Sequence, residues 1–222
     1  MMTLQIILEV LIVLIGACGL VLHSGLVSGK LRHDFFRYYT NLSNLLVAMF
    51  YLIRIVIRIT KNYDGFFGKV VFSELWFYSV TMSIFLTFGI YHFVLVPSIK
   101  KASETSDEFR YFHSLSNYFV HYIVPLLCIV NWFIFAKKTE LQYSWALVWT
   151  VIPWCYVLFS FIRAADGVPL ENTTSPYPYG FMDPQKKWLA ENDPKLSGCI
   201  CCFRFSRYFV YICQKNDLEY EK

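Results

Sequence analysis

Polar side chains inside two apolar stretches are the residues of this chain with the clearest chemical potential. Thr40, Asn41 and Asn44 lie near the start of one stretch, and Asn117 and His121 lie near the start of another. A threonine hydroxyl becomes a nucleophile when a neighbouring base takes its proton. Histidine is the usual base, because its ordinary pKa lies near neutral pH. These residue types therefore suggest acyl transfer or ester hydrolysis.

Amide and guanidinium groups could complete such a site. Either Asn41 or Asn44 could donate a hydrogen bond to a developing oxyanion, and Arg163 could bind a carboxylate through two parallel hydrogen bonds. A carboxylate that would orient His121 is missing, because Glu9, the one acid well inside an apolar stretch, is expected to lie too deep. Threonine and asparagine in membrane helices often only hydrogen-bond to neighbouring helices, and this structural interpretation stays open.

Composition indicates the elements that must position these residues. The 222 residues are 56% hydrophobic and 16% charged, with a mean hydropathy of +0.43, whereas soluble domains carry about 25% charged residues. Because a membrane span needs about 20 mostly apolar residues, we predict an all-α, polytopic bundle of six transmembrane helices in a single integral membrane domain over residues 1–222. The predicted spans are Leu4–Val27, Phe35–Ile59, Leu75–Pro97, Ser114–Phe135 and Tyr143–Ile162, with an uncertain sixth at Leu196–Cys213 that Arg204 and Arg207 interrupt.

Alternating crossings place the beginnings of the second and fourth spans on the same side of the bilayer. With a rise of about 1.5 Å per residue, Thr40 lies about 9 Å along a helix that begins at Asp34 as N-cap. His121 lies about 10 Å along a helix that begins at Ser114. Both residues fall in one half of a hydrocarbon core about 30 Å thick, so we expect them to meet. Pro125, one turn after His121, is expected to bend its helix and leave room for a ligand.

Two further segments carry expectations. The segment Tyr177–Asp183 is rich in aromatic residues and proline; since disordered loops are poor in aromatics, we expect it to be ordered. Tyr177 and Tyr179, together with Arg163, are predicted to shape a substrate entrance. Arg54 and Arg58, near the end of the second span, are predicted to extend to the membrane interface.

The same sequence argues against several classes of function. Its net charge of +4 is spread over short loops, which is typical of bilayer orientation rather than nucleic-acid binding. The spans carry single histidines without paired spacing, so we predict no metal and no cofactor, and we expect His23 and His92 to bond to loops. Cys199, Cys201 and Cys202 lack the spacing of a zinc site. Acylation of these cysteines and an unmodified interfacial tail are two interpretations that both stay open. The oligomeric state is not predicted.

Three short motifs resemble those of a known membrane family. These are Tyr39–Leu46, Asn117-x-x-x-His121-x-x-x-Pro125 and Tyr177–Phe181. They resemble the threonine motif, the histidine motif and the aromatic–proline loop of six-span proteins of the androgen-induced-gene and androgen-dependent TFPI-regulating type, and resemble small bacterial relatives of these proteins more closely still. In the animal members, an intramembrane threonine and histidine hydrolyse fatty acid esters of hydroxy fatty acids. The resemblance implies Thr40 as nucleophile, His121 as base and, for a bacterial source, a cell-membrane location.

The leading hypothesis is therefore a membrane-embedded hydrolase of lipid esters, with Asn44 and Asn117 as polar support for the Thr40–His121 pair. Its expected partners are the lipid bilayer and a lipid or other apolar small-molecule substrate. A transporter or small-molecule carrier could use the same polar pocket, but it would need access from both sides. A non-catalytic membrane scaffold is the third hypothesis.

Overall fold

The computed structural model describes residues 2–99, 114–171 and 173–183, and the regular secondary structure of this part of the chain is all helical, with no strand. Five helices are long and apolar enough to cross a membrane, which is compatible with a multi-pass membrane protein. They are α1 (Met2–His23), α2 (Tyr39–Thr60), α3 (Glu74–Leu95), α4 (Leu115–Phe135) and α5 (Trp145–Ala164). Five of the six predicted spans thus have a helix. The sixth, Leu196–Cys213, lies outside the described residues together with its cysteines.

The end of α1 differs from its predicted position. The helix ends at His23 rather than at Val27, because Gly25 adopts a left-handed φ of 77°. The backbone N–H of Lys30 donates to the Gly25 carbonyl at 3.1 Å and closes a turn. A Cβ at this position would collide with the Lys30 carbonyl oxygen, so the turn requires glycine.

The beginning of α2 was also predicted wrongly. Phe35–Arg37 forms a separate 3₁₀ turn, and α2 begins at Tyr39. Asp34 does not cap a helix with its side chain. Its carboxylate instead forms an ion pair with Arg37 and accepts a hydrogen bond from the backbone N–H of Glu171. Thr40 therefore lies in the first turn of α2, where the helix meets the loops at its end of the bundle.

α3 is the most enclosed of the five long helices. On the side facing α2, the hydroxyl groups of Tyr39 and Ser83 lie 2.7 Å apart, and those of Ser43 and Thr87 are also 2.7 Å apart. Ser79, Ser83, Thr87 and Tyr91 lie four residues apart and form a polar stripe along α3. Its members Ser83 and Thr87 are thus used in helix–helix contacts. Aromatic side chains fill the core below it, among them Tyr51, Phe77, Tyr78 and Trp132.

A buried ion cluster lies near the other end of the bundle. Glu9 on α1 accepts from Arg54 Nε at 2.9 Å and from Arg58 Nη2 at 3.1 Å. Arg54 also donates to the Val71 carbonyl at 2.6 Å, and its guanidinium carbon lies 4.6 Å from the centre of the Phe72 ring. The prediction that Arg54 extends to the interface is therefore wrong, since Arg54 is only 4% exposed. Its charge can be buried because Glu9 supplies the opposite charge inside the bundle.

Candidate functional site

Two neighbouring helices, α3 and α4, each contain a π-helical segment, and the segment in α4 carries the predicted site residue His121. These segments are Tyr91–Leu95 in α3 and Phe119–Ile123 in α4. After one intervening residue, each is followed by a proline, Pro97 or Pro125. Proline has no N–H and its ring clashes with the carbonyl four residues earlier, so a wider turn accommodates it. In α4 this wider turn carries His121, and π segments of this kind are frequent at functional sites.

The structure brings Thr40 and His121 together. Thr40 Oγ1 lies 3.2 Å from His121 Nε2, and both residues are buried. The other ring nitrogen, Nδ1, lies 3.1 Å from the backbone carbonyl oxygen of Asn117. Because a carbonyl only accepts, we assign the proton to Nδ1, which leaves the lone pair of Nε2 facing the Thr40 hydroxyl. This tautomer is the one that a general base requires.

The imidazole of His121 is also held by its neighbours. The Tyr91 ring stacks on it with ring centres 3.8 Å apart and planes 25° apart. The side-chain amide of Asn117 donates to the Tyr91 hydroxyl, so Asn117 supports both rings. Sequence reasoning did not single out Tyr91 as a site residue. Its one signal was its place at the end of the polar stripe of α3.

The side chains of Asn41 and Asn44 fix the backbone around Thr40. Asn44 Nδ2 donates to the Thr40 carbonyl at 2.8 Å and to the Val120 carbonyl at 3.0 Å, which joins α2 to the π segment of α4. Asn41 Nδ2 donates to the Phe35 carbonyl at 2.6 Å. Both amides thus support the backbone of the site, and their predicted role as oxyanion donors stays a prediction.

An apolar cavity of about 240 Å³ lies beside Thr40. Its walls come from α2, α3, α5 and the Tyr177–Asp183 segment, and include Ile90, Leu95, Trp154, Val157 and Phe181. Trp154 is 64% exposed, so the wall formed by α5 reaches the outer surface of the bundle. Ligand cavities measure about 300–1,000 Å³, and this one is close to the lower end of that range.

Tyr179 lines this cavity next to Thr40. Burial raises the pKa of the Tyr179 phenol, and the neighbouring Thr40 opposes part of that shift. A phenol with a raised pKa remains protonated at neutral pH and can donate. Tyr179 stacks on Phe181, with ring centres 5.2 Å apart, and Ser175 donates to Asp183 at 2.7 Å across the segment. The segment is thus ordered against the bundle, as expected.

Arg163 and Tyr177 lie outside the lining of the cavity. Arg163 Nη1 donates to the carbonyl of Val168 at 2.6 Å and to that of Pro176 at 3.3 Å. The Tyr177 ring packs against Phe161 of α5, with ring centres 5.4 Å apart. Both residues therefore attach the Tyr177–Asp183 segment to the end of α5, and their predicted contact with substrate stays a prediction.

Gly19 allows α1 to approach the π segment that carries His121. A Cβ at Gly19 would lie 3.0 Å from both Phe119 Cβ and Val120 Cγ1, whereas a Cβ at Gly16 would lie 3.8 Å from its nearest neighbour. Gly19→Ala should therefore lower the free energy of unfolding by about 1–3 kcal/mol through overpacking. Gly16→Ala, the matched control, should leave it nearly unchanged. Thermal unfolding in detergent tests this, and equal melting temperatures for the two variants would contradict it.

The described residues hold no candidate metal site, and the comparisons with known proteins found no match. Within residues 2–99, 114–171 and 173–183, no group of three or more His, Cys, Asp or Glu side chains is placed to bind a metal ion. No family model matches the chain, and neither curated proteins nor solved structures show a significant match. The resemblance to the androgen-induced-gene type of protein thus rests on its three motifs.

Proposed function

We propose that this protein is a multi-pass integral membrane hydrolase of lipid esters, with Thr40 as nucleophile and His121 as base. The observation that carries the proposal is the 3.2 Å contact between Thr40 Oγ1 and His121 Nε2. The Asn117 carbonyl, 3.1 Å from Nδ1, orients the ring. Nucleophile, base and orienting group are thus linked in the order found in hydroxyl hydrolases.

The geometry supports a two-step reaction. His121 Nε2 takes the proton of Thr40 as Oγ1 bonds to the ester carbonyl carbon, and His121 then gives this proton to the leaving alcohol. The product of this first step is an ester between the acyl group and Thr40, which water hydrolyses in the second step. We assign the stabilisation of negative charge on the carbonyl oxygen to the protonated phenol of Tyr179, which lines the cavity together with Thr40, because tyrosine can take this role.

The apolar cavity supports a lipid as the acyl donor. Its lining is made largely of aliphatic and aromatic side chains, and Thr40 is one of the lining residues. Because Trp154 is exposed on the surface of α5, an acyl chain can reach the cavity sideways from the bilayer. The substrate class that fits is a fatty acyl ester whose chain occupies the cavity and whose carbonyl lies at Thr40.

Hydrolysis by purified protein tests the proposal. Fatty acyl esters of glycerol, of a long-chain alcohol and of a hydroxy fatty acid are offered in mixed micelles to the wild type and to His121→Gln. Since a general base contributes a factor of about 10²–10⁴, His121→Gln should lose at least about 100-fold in rate. His92→Gln is the matched control, because His92 is exposed and contacts Tyr122 at 3.2 Å. A folded wild type without hydrolysis, or His121→Gln at the wild-type rate, would refute the proposal.

The carrier and the scaffold remain alternatives. A carrier would need a passage through the far half of the bundle, where the Glu9–Arg54–Arg58 cluster and the aromatic core are closely packed. This packing favours a site that is approached from one leaflet. Solute or lipid flux across proteoliposomes that stops in a His121 variant would support the carrier instead.

A further inference from the structure

The apolar cavity beside Thr40 extends along α3 toward the middle of the bundle. Its lining residues on α3 run from Leu95 back to Leu86. Thr40 and Tyr91 both contact the ring of His121, so Thr40 lies at about the height of Tyr91 in the bundle. Leu86 precedes Tyr91 by five residues, which places it about 7 Å deeper at a rise of about 1.5 Å per residue. The cavity therefore offers an acyl group at Thr40 a path toward Leu86.

The deep end of the cavity meets the packed core of the bundle. Leu86 on α3 and Pro153 on α5 both line the cavity, and Leu86 is buried. One turn further from the site, Met82 and Trp149 are also buried, and within the described part of the chain neither of them lines the cavity. The cavity thus ends in an apolar floor, to which Leu86 contributes an aliphatic side chain.

We infer that this cavity selects medium-chain acyl groups and that Leu86 sets the longest chain that is accepted. The inference rests on the proposed function, since the acyl carbonyl must lie at Thr40. An apolar cavity of about 150 Å³ binds benzene, a ring of six carbons, so a cavity of about 240 Å³ filled to the same degree holds about ten carbons. A longer chain meets the floor, and its carbonyl is displaced from Thr40 Oγ1. Because a displacement of about 1 Å can cost a factor of about 10² in rate, hydrolysis should fall steeply beyond this length.

Short acyl chains are disfavoured by the same cavity for a different reason. A short chain leaves the deep end unfilled, and the side chains around Leu86 lose the van der Waals contacts that a chain of fitting length supplies. The rate of hydrolysis should therefore rise with chain length, pass through a maximum at about eight to ten carbons, and then fall.

Competition between esters measures this chain-length profile. Glycerol esters of hexanoic, octanoic, decanoic and hexadecanoic acid are mixed at equal mole fractions in the same micelles, and each released fatty acid is quantified by mass spectrometry. Wild type should release octanoate and decanoate at least about tenfold faster than hexadecanoate. Leu86→Ala removes three carbon atoms from the floor and should move the maximum by about two carbons toward longer chains. Leu86→Phe fills the deep end and should move the maximum by about two carbons toward shorter chains.

The matched control is Ile57→Ala, which also removes three carbon atoms from a buried aliphatic side chain. Ile57 and Leu86 are both 7% exposed, but Ile57 lies near the far end of α2 and is not among the described residues that line the cavity. The folded control should keep the wild-type profile. If Leu86→Ala does not fold, the opposite shift in Leu86→Phe decides the test.

The outcomes separate this inference from the proposed function. An unchanged profile in folded Leu86 variants would overturn the role of Leu86 and leave the hydrolase intact. Release of hexadecanoate by wild type as fast as decanoate would mean that the chain leaves the cavity beside Trp154 into the lipid, and would overturn the selection of medium chains. Folded wild type that hydrolyses none of the four esters would overturn the hydrolase and this inference together.

Discussion

Replacing Thr40 with valine should reduce ester hydrolysis by about 10⁴-fold or more, the scale seen when a nucleophile is removed. Valine keeps the branched shape of threonine but has no hydroxyl to bond to the acyl carbon, so the reaction loses its covalent step. Thr40→Ser keeps the hydroxyl and should retain measurable activity. Initial rates of fatty acyl ester hydrolysis by purified protein give the comparison.

Thr81→Val is the control for loss of a buried hydroxyl. Thr81 is buried on α3, and its hydroxyl donates to the Phe77 carbonyl of its own helix at 2.8 Å. It contacts neither His121 nor the apolar cavity, so the folded variant should hydrolyse esters at nearly the wild-type rate. If Thr40→Val stayed within tenfold of the wild type, Thr40 would not be the nucleophile.

Glu9→Gln should cause the largest loss of stability of any single substitution considered. The variant leaves the guanidinium groups of Arg54 and Arg58 without the carboxylate that they contact at 2.9 and 3.1 Å. Removing one partner of a buried ion pair costs about 3–5 kcal/mol, because the remaining charge is buried without compensation. Unfolding of the detergent-solubilised protein, followed by tryptophan fluorescence, measures the loss.

The matched control is Glu140→Gln. Glu140 forms an ion pair with Lys137 at 3.2 Å, and their side chains are 52% and 68% exposed. Exposed pairs contribute about 0–1 kcal/mol, so this variant should unfold nearly as the wild type does. Equal stability of Glu9→Gln and Glu140→Gln would mean that the buried cluster does not hold α1 against α2.

The spans and the meeting of Thr40 with His121 could be predicted because they depend on short-range rules. Apolar length predicted five helices, and the rise per residue together with alternating crossings put the two residues at similar depth. The ends of the helices could not be predicted from such rules. The end of α1 depends on the turn at Gly25, and the beginning of α2 depends on Asp34, which is occupied by Arg37 and by the distant backbone of Glu171.

The rest of the site depends on packing between distant segments. The sequence pointed to no particular acid that would orient His121, and among the described residues the group that does so is the backbone carbonyl of Asn117, which no residue type reveals. Tyr91 stacks on His121 only because two π segments lie side by side. Arg54 was assigned to the interface by its place in the helix, yet Glu9, on another helix, draws it into the interior.

The most direct test of the account is covalent labelling of Thr40. Purified protein is treated with a fluorophosphonate probe, and the modified residue is identified by mass spectrometry in wild type, His121→Ala and Thr40→Ala. The account predicts probe attached to the Thr40 hydroxyl in the wild type and no attachment in either variant, because only a hydroxyl activated by His121 attacks the phosphorus. Folded wild-type protein that stays unlabelled at Thr40, or labelling of Thr40 that persists in His121→Ala, would contradict it.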